Sequence, residues 1–201
     1  MKFTYSIPTK ILFGPGSFND LATTPLPGKK ALVVITAGKS MRANGYLDRL
    51  IDMLDKQGIG HALFDKILPN PVLRHVHEGA ALAREQGCDF VIGLGGGSSI
   101  DSAKSIAVMA KNPGDYWDYI SGGSGKGQPL VNGALPIVAI ATTESTGKVS
   151  AQPKPIFSLV SSLVMTVHGS ASVPVPAVVA IATMGRAPFT SGCPLPEPPE
   201  M

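Results

Sequence analysis

The hydrophobic positions of this chain fall into short blocks that alternate between two spacings. Ala31-Leu-Val-Val-Ile35 and the block from Phe90 to Leu94 are continuous apolar runs, the pattern of strands covered on both faces of a parallel sheet. Pro136 to Ala141 repeats that pattern, and Lys10 to Phe13 and His61 to Phe64 read as shorter strands. Between them the spacing becomes helical. Leu47, Leu50, Ile51 and Leu54 share one face over Tyr46 to Gln57, and a second helix is predicted from Leu73 to Gln86 after the Pro69-Asn-Pro71 break. Gly58 and Gly87 stand where these helices would stop. A third helix opens at Ser98, carries Ile100, Ala103, Ile106, Ala107 and Ala110 on one face, and ends at Asn112-Pro-Gly114. Gly14-Pro-Gly16 closes the first strand, and Ser17 is placed as the cap of a short helix through Leu21. Strands alternating with helices predict an open, mostly parallel α/β sheet with helices on both faces. Right-handed crossovers then gather the loops after Ile35, Leu94 and Ala141 at the carboxyl edge, where ligands bind in such sheets.

One of those loops carries chemistry. Gly93-Leu-Gly-Gly-Gly-Ser-Ser-Ile-Asp-Ser-Ala-Lys104 is a glycine-rich turn between a strand and a helix. Gly95, Gly96 and Gly97 lack Cβ atoms and admit a close backbone approach to a pyrophosphate, while the open N–H groups and dipole of the helix start favour an anion. Ser98 or Ser99 would cap the helix and can donate to phosphate oxygen. A tight strand-to-helix connection would need similar glycines, so the loop alone leaves both readings open. It departs from G-x-G-x-x-G, because Gly93, Gly95 and Gly97 are followed by Ser98, Ser99 and Ile100. Gly38-Lys-Ser40 ends like a P-loop, but Val33 stands where its first glycine is required.

Composition narrows the class without deciding it. The 201 residues are 44% hydrophobic with a net charge of +3, enough for one substantial core. Lysines and arginines are scattered, so no nucleic-acid partner is expected. No apolar run reaches membrane-spanning length, and the first residues lack the apolar core of a signal peptide. The two cysteines, Cys88 and Cys193, suit a reducing cytoplasm better than a disulfide framework, and Cys88 reads as a small core residue. His75 and His77 lie on different faces of a helix start, which makes them poor metal partners and places them at the surface. Gly122 to Gly127 has no strand before it and reads as a mobile surface loop. Beyond residue 143 the character changes. Residues 151–201 hold half of the 18 prolines and no aspartate, which rules out long helices there.

Four segments together resemble the iron-containing (group III) alcohol dehydrogenases: Pro8-Thr-Lys-Ile-Leu-Phe-Gly-Pro-Gly16, Pro69-Asn-Pro71, the Gly93 to Lys104 stretch, and Pro136-Ile-Val-Ala-Ile-Ala-Thr-Thr143. Their order and spacing agree with the family over roughly residues 3 to 143. The resemblance implies a Rossmann-like nucleotide-binding domain of the dehydroquinate-synthase type. It implies a pyrophosphate loop at Gly95, Gly96, Gly97, Ser98 and Ser99, an Asp101 near the nicotinamide side, and Asn70, Thr142 and Thr143 lining the cleft. Asp101 read from the residues alone is an acid in the first helical turn, favoured by the helix dipole, and Lys104 a solvent-facing lysine. NAD-selective members of the family carry an acidic residue at the end of the strand that here precedes Thr36-Ala-Gly-Lys-Ser40. Ala37 and Gly38 stand in its place, and Lys39 and Ser40 are available to a phosphate, so NADP is favoured over NAD. Lys39 can equally be solvated.

The family pattern Thr-Thr-Ala-Gly-Thr-Gly-Ser-Glu continues here as Thr142-Thr-Glu-Ser-Thr-Gly-Lys-Val149, with Glu144 and Ser145 where a small residue and a glycine are expected. The family also implies Fe²⁺ or Zn²⁺ held by an aspartate and three histidines of a C-terminal helical domain. No aspartate follows Asp118 and only His168 follows residue 143, so the expectation is that these ligands are missing. Residues 1–143 are therefore expected to be a nucleotide-binding domain, and 144–201 a divergent proline-rich tail from truncation or a shifted reading frame. The parent enzyme would act on a small alcohol or aldehyde, with a homodimer as a further expectation. Metal-dependent turnover by the chain itself is not expected. A non-catalytic nucleotide-binding or interaction module and a glycerol-dehydrogenase-like enzyme stand as alternatives.

Overall fold

The computed structural model describes residues 9–13, 16–120, 125–142 and 178–182, the last as backbone alone. In chain order the elements are β1 (Thr9–Phe13), a 3-10 turn (Asn19–Ala22), β2 (Lys30–Thr36), α1 (Ser40–Ala43), α2 (Tyr46–Lys56) and β3 (Gly60–Ile67). They continue as α3 (Leu73–Glu85), β4 (Phe90–Gly95), α4 (Gly97–Met109), α5 (Tyr116–Tyr119), β5 (Ile137–Ala141) and β6 (Val178–Ala182). One six-stranded sheet runs β1-β6-β5-β4-β2-β3. Strands β5, β4, β2 and β3 are mutually parallel, with Val33 opposite both Leu63 and Ile92, and Ile92 opposite Val138.

The continuous apolar runs are explained by their central place. Ala31 to Ile35 are fully buried, as is β4 along its whole length, because each strand has neighbours on both sides and helices on both faces. Odd-numbered residues of β2 (Val33, Ile35) and Ile92 and Leu94 of β4 pack with Leu47, Leu50 and Leu54 of α2. Leu32, Val34 and Val91 face the other way, onto Val76, Ala80 and Ala83 of α3 and Ala103, Ile106 and Ala107 of α4. Each fully buried aliphatic side chain contributes about 1.5–3 kcal/mol relative to exposure, so the two faces of β2 and β4 anchor both layers. Gly79 lets α3 and α4 approach closely, since a Cβ there would lie 2.5 Å from Ile106 Cδ1.

The order of strands creates a reversal. From β2 the chain passes by way of α2 to β3 on one side, returns through α3 to β4 on the other side, and continues through α4 to β5. Because α2 and α4 cover opposite faces, a crevice opens at the carboxyl ends of β2 and β4.

Several expectations are corrected. The predicted strand His61 to Phe64 is eight residues long, Gly60 to Ile67. Ser17 does not cap the 3-10 turn; Phe18 occupies the N-cap position without a side-chain bond. His75 is buried rather than at the surface, held on the inward face of α3 with Val76 and Gly79. Within the glycine-rich loop at 122–127, only residues 125–127 are described, and they are tied down: Lys126 N–H donates to Trp117 O, Gly127 N–H donates to Ile120 O, and the Lys126 ammonium pairs with Asp118 at 2.7 Å. The region after residue 143 contributes β6, which pairs antiparallel with both β1 and β5. Periodicity does not reveal that strand, because five apolar residues among prolines acquire an extended partner only through the fold.

Candidate nucleotide-binding site

Loops from four parallel strands meet at the crevice, and hydrogen bonds fix them to one another. After β2, Ala37 N–H donates to Ile67 O at 2.8 Å, joining this turn to the end of β3. Past β3, the Pro69 carbonyl accepts from Ser98 Oγ at 2.7 Å, joining the Asn70 turn to α4. Beyond β5, Thr142 N–H donates to Gly95 O at 3.2 Å, and Thr142 Oγ1 lies 3.4 Å from Met41 Sδ. The first turns after β2, β3, β4 and β5 thus form a single rim.

The glycine loop has the backbone that a close ligand approach requires. Gly95 has φ +128°, a conformation that side-chain-bearing residues rarely adopt, and a Cβ there would also crowd Ser99 Oγ at 3.1 Å. Gly93 serves packing instead: a Cβ would lie 2.9 Å from Ala103 Cβ and 3.0 Å from Ile100 Cα, so α4 could not lie so near β4. Around Gly97 there is open space, with only Asp101 Oδ2 at 3.9 Å from a Cβ position. The helix begins at Gly97, one residue before the expected Ser98, and Gly96 holds the N-cap position without a side-chain bond. Neither Ser98 nor Ser99 caps it. Ser98 is engaged with Pro69, while Ser99 lies fully buried beneath the loop with its Oγ lacking a hydrogen-bond partner. The positive dipole end of this thirteen-residue helix lies at the rim, with the Ser99 and Ile100 N–H groups donating to Gly96 O at 3.1 and 3.2 Å and those of Gly97 and Ser98 at its very start.

The other predicted site residues divide by exposure. Gly38, Lys39, Ser40, Asn70 and Gly97 are exposed on the rim, Gly96, Ser98 and Thr142 are half-buried, and Gly95 is buried in the loop floor. Lys39 occupies the N-cap position of the short α1. Thr143 lies outside the described residues. Asp101 is not a first-turn residue; it sits one turn further on, and Lys104, expected in solvent, is 4% exposed with its ammonium 3.4 Å from Asp101 Oδ1. Burial pushes the Asp101 carboxyl above its ordinary value, and Lys104 opposes that shift. Asp101 also borders a cavity of about 30 Å³ between α4, the start of α3 and α5, shared with Ser102, Ser105, Val72, Tyr116 and Trp117. That partly open space lies beside the rim rather than under the glycine loop. Ser105 Oγ sits 3.0 Å from the Tyr116 hydroxyl, whose phenol is raised by burial against this hydrogen bond.

Met41 is the site residue that the sequence did not reveal. It is 3% exposed, and its sulfur touches the rim at Thr142 and lies 3.5 Å from a Cβ position on Gly95. An apolar residue in a βα turn carries no signal of its own. Among the described residues no group of three His, Cys, Asp or Glu side chains is placed to hold a metal ion. His77 Nε2 instead stands 3.4 Å from Asp115 Oδ2, without hydrogen-bond alignment.

A mostly parallel sheet with its glycine loop at the strand-order reversal defines a Rossmann-like α/β domain. Residues 8–154 match the family profile described as iron-containing alcohol dehydrogenase. The chain belongs to that family. It is 37% identical over 145 residues to a probable NADH-dependent butanol dehydrogenase 1 of Bacillus subtilis, covering 72% of this chain and 36% of the relative. Among solved structures it superposes on an archaeal halo-thermophilic Red Sea brine pool alcohol dehydrogenase with a TM-score of 0.63 and 34% identity, over 71% of this chain and 37% of that one. NADH-dependent butanol dehydrogenase A from Thermotoga maritima gives a TM-score of 0.58 at 33% identity, over 72% and 39%. The chain thus spans little more than a third of the length of these relatives.

Proposed function

We propose that this chain is the dinucleotide-binding part of an alcohol dehydrogenase that moves hydride between a small primary alcohol or aldehyde and the nicotinamide C4 of its cofactor. The observation that carries this reading is the rim itself: an open glycine loop with φ +128° at Gly95, set at a helix start and bonded to the turns after β3 and β5. In this reading Gly95, Gly96 and Gly97 admit the pyrophosphate to the backbone, with Ser98 beside it. Thr142 and Asn70 line the cleft, and Asp101 accepts a hydrogen bond on the nicotinamide side. Ser99 supports the loop from below.

The composition of the turn after β2 supports a reading in which either nicotinamide dinucleotide is accepted. Thr36 to Ser40 contains no carboxylate to repel a 2′-phosphate, and Lys39 is exposed there. The preference for NADP gains nothing from the relatives, two of which are named NADH-dependent, so the proposed ligand is NAD(H) with NADP accepted at the same rim. The described residues do not fit a metal ion, so no step through metal is derived from them. The 201-residue chain is proposed to bind cofactor without metal-dependent turnover. A reducing, cytoplasmic setting is part of the reading, supported by the free buried thiol of Cys88.

Calorimetry of the full chain against NAD, NADP and ADP-ribose tests the proposal. Saturable binding of ADP-ribose and at least one dinucleotide is the expected result. Binding of none of the three would remove the nucleotide reading.

A further inference from the structure

Lys104 is the buried charge that the proposed chemistry leaves without a task. It lies in the middle of α4 with 4% of its surface exposed, on a helix whose start receives an anion in the proposed reading. Its ammonium stands 3.4 Å from Asp101 Oδ1. The other carboxylate oxygen of Asp101 points along the helix toward Gly97, where a Cβ position lies 3.9 Å away. A carboxylate so near a phosphate cradle carries an electrostatic penalty, because two like charges repel strongly where water is excluded. Taking an ammonium out of water is also costly, and a buried lysine persists only where a counter-charge compensates it.

We propose that Lys104 is a positioning residue: its ammonium is the internal counter-charge that keeps Asp101 a carboxylate at the rim and cancels its repulsion of the bound phosphates. The pair is then neutral toward the cradle, so the helix dipole still attracts the anion. Asp101 retains an acceptor oxygen for an N–H or O–H donor of the ligand. The groups around Asp101 agree with this division of labour. Among the described residues that line the shared cavity, Tyr116, from α5, is the other titratable group, and it is engaged with Ser105. From α3 and its preceding turn come only apolar side chains, Pro71, Val72, Leu73 and Val76. Burial alone drives the Asp101 carboxyl toward its neutral form, and Lys104 is the group opposing it.

The inference rests on the nucleotide reading for its ligand, but not for its electrostatics, and the test separates the two. The Asp101 carboxyl is titrated by ¹³C NMR in the ligand-free full chain, in the wild type and in the K104M and K104R variants. NAD affinity is measured in the same proteins, and in D101N, between about pH 5 and pH 8. The expected result is a higher Asp101 midpoint in K104M, with K104R close to wild type. NAD affinity in K104M is then about tenfold weaker than in the wild type at the neutral end, where the uncompensated carboxylate repels the phosphates, and recovers toward the acid end as Asp101 takes up its proton, while the wild type changes little and D101N shows no pH dependence. An unmoved midpoint in K104M overturns the counter-charge. A moved midpoint with a pH-independent NAD affinity overturns its link to the ligand. Should no protein bind NAD at any pH, the nucleotide reading fails, and the midpoint still decides the role of Lys104. Lys104→Gln serves the same comparison if K104M does not fold.

Discussion

Ser98 Oγ donates a 2.7 Å hydrogen bond to the carbonyl of Pro69, 29 residues earlier in the chain. This bond joins the start of α4 to the Asn70 turn across the mouth of the crevice, so Ser98 holds the rim together as well as bordering it. A net contribution of about 0.5–1.5 kcal/mol is usual for such a bond. Ser98→Ala is therefore expected to weaken ADP-ribose binding about three- to tenfold while melting the fold only a few degrees lower. Calorimetry and thermal denaturation of the same preparation check it. A stability loss with unchanged affinity would show that the bond is structural alone.

Gly93 is a packing glycine, unlike Gly95. A methyl group at Gly93 meets the Ala103 methyl and the Ile100 backbone, neither of which can rotate away. Gly93→Ala is expected to destabilise the domain by about 1–3 kcal/mol through overpacking between β4 and α4, read as a lower urea midpoint. Gly97→Ala, with open space around it, is expected to leave that midpoint nearly unchanged.

Asp89 locks the entry to two central strands. Its carboxylate oxygens accept from Lys29 N–H at 2.8 Å and Lys30 N–H at 2.9 Å, at the turn before β2. Hydrogen bonds to a charged group are worth about 1.5–3 kcal/mol each when removal strands the donor. Because this site is exposed and water replaces the lost acceptor, Asp89→Ala is expected to cost about 1–2 kcal/mol in chemical denaturation. Loss below a few tenths would show that the turn holds its shape without the carboxylate.

Cys88 is expected to be an inert thiol in the native chain. Burial pushes its pKa above 9.0, outweighing the attraction of Lys30, so the thiolate is scarce at neutral pH. A thiol whose folded pKa is raised contributes stability that is complete below the ordinary value. That stability is lost as pH rises from about 9.0 toward the folded value. In a Cys193→Ser background, alkylation at pH 8 should proceed only through unfolding, and the urea midpoint should fall as pH is taken above 9.0. Rapid stoichiometric alkylation of the native protein would contradict the burial of Cys88.

The residues whose burial departs from what helical spacing predicts share one physical cause. Helical spacing alone gives Lys104 the look of a solvated lysine, because it places every residue on some face, and only the tertiary structure says which faces are covered. His75 is buried on α3 for the same reason. Ser99 carries a residue type suited to phosphate, but the descent of α4 from Gly96 turns its side chain under the loop. β6 could not be read because its identity as a strand lies in its partners β1 and β5.

The sequence by itself determined the layered α/β architecture, since continuous apolar runs at β2 and β4 can be buried only between helices on both faces. It also determined the glycine loop, because the φ of +128° at Gly95 is open to glycine almost alone. What only the tertiary structure decided is which polar groups face one another. The meeting of Ser98 with Pro69, of Thr142 with Gly95 and Met41, and the burial of Lys104 against Asp101 depend on strand order and helix packing. Those relations join distant residues, and no local pattern along the chain encodes them.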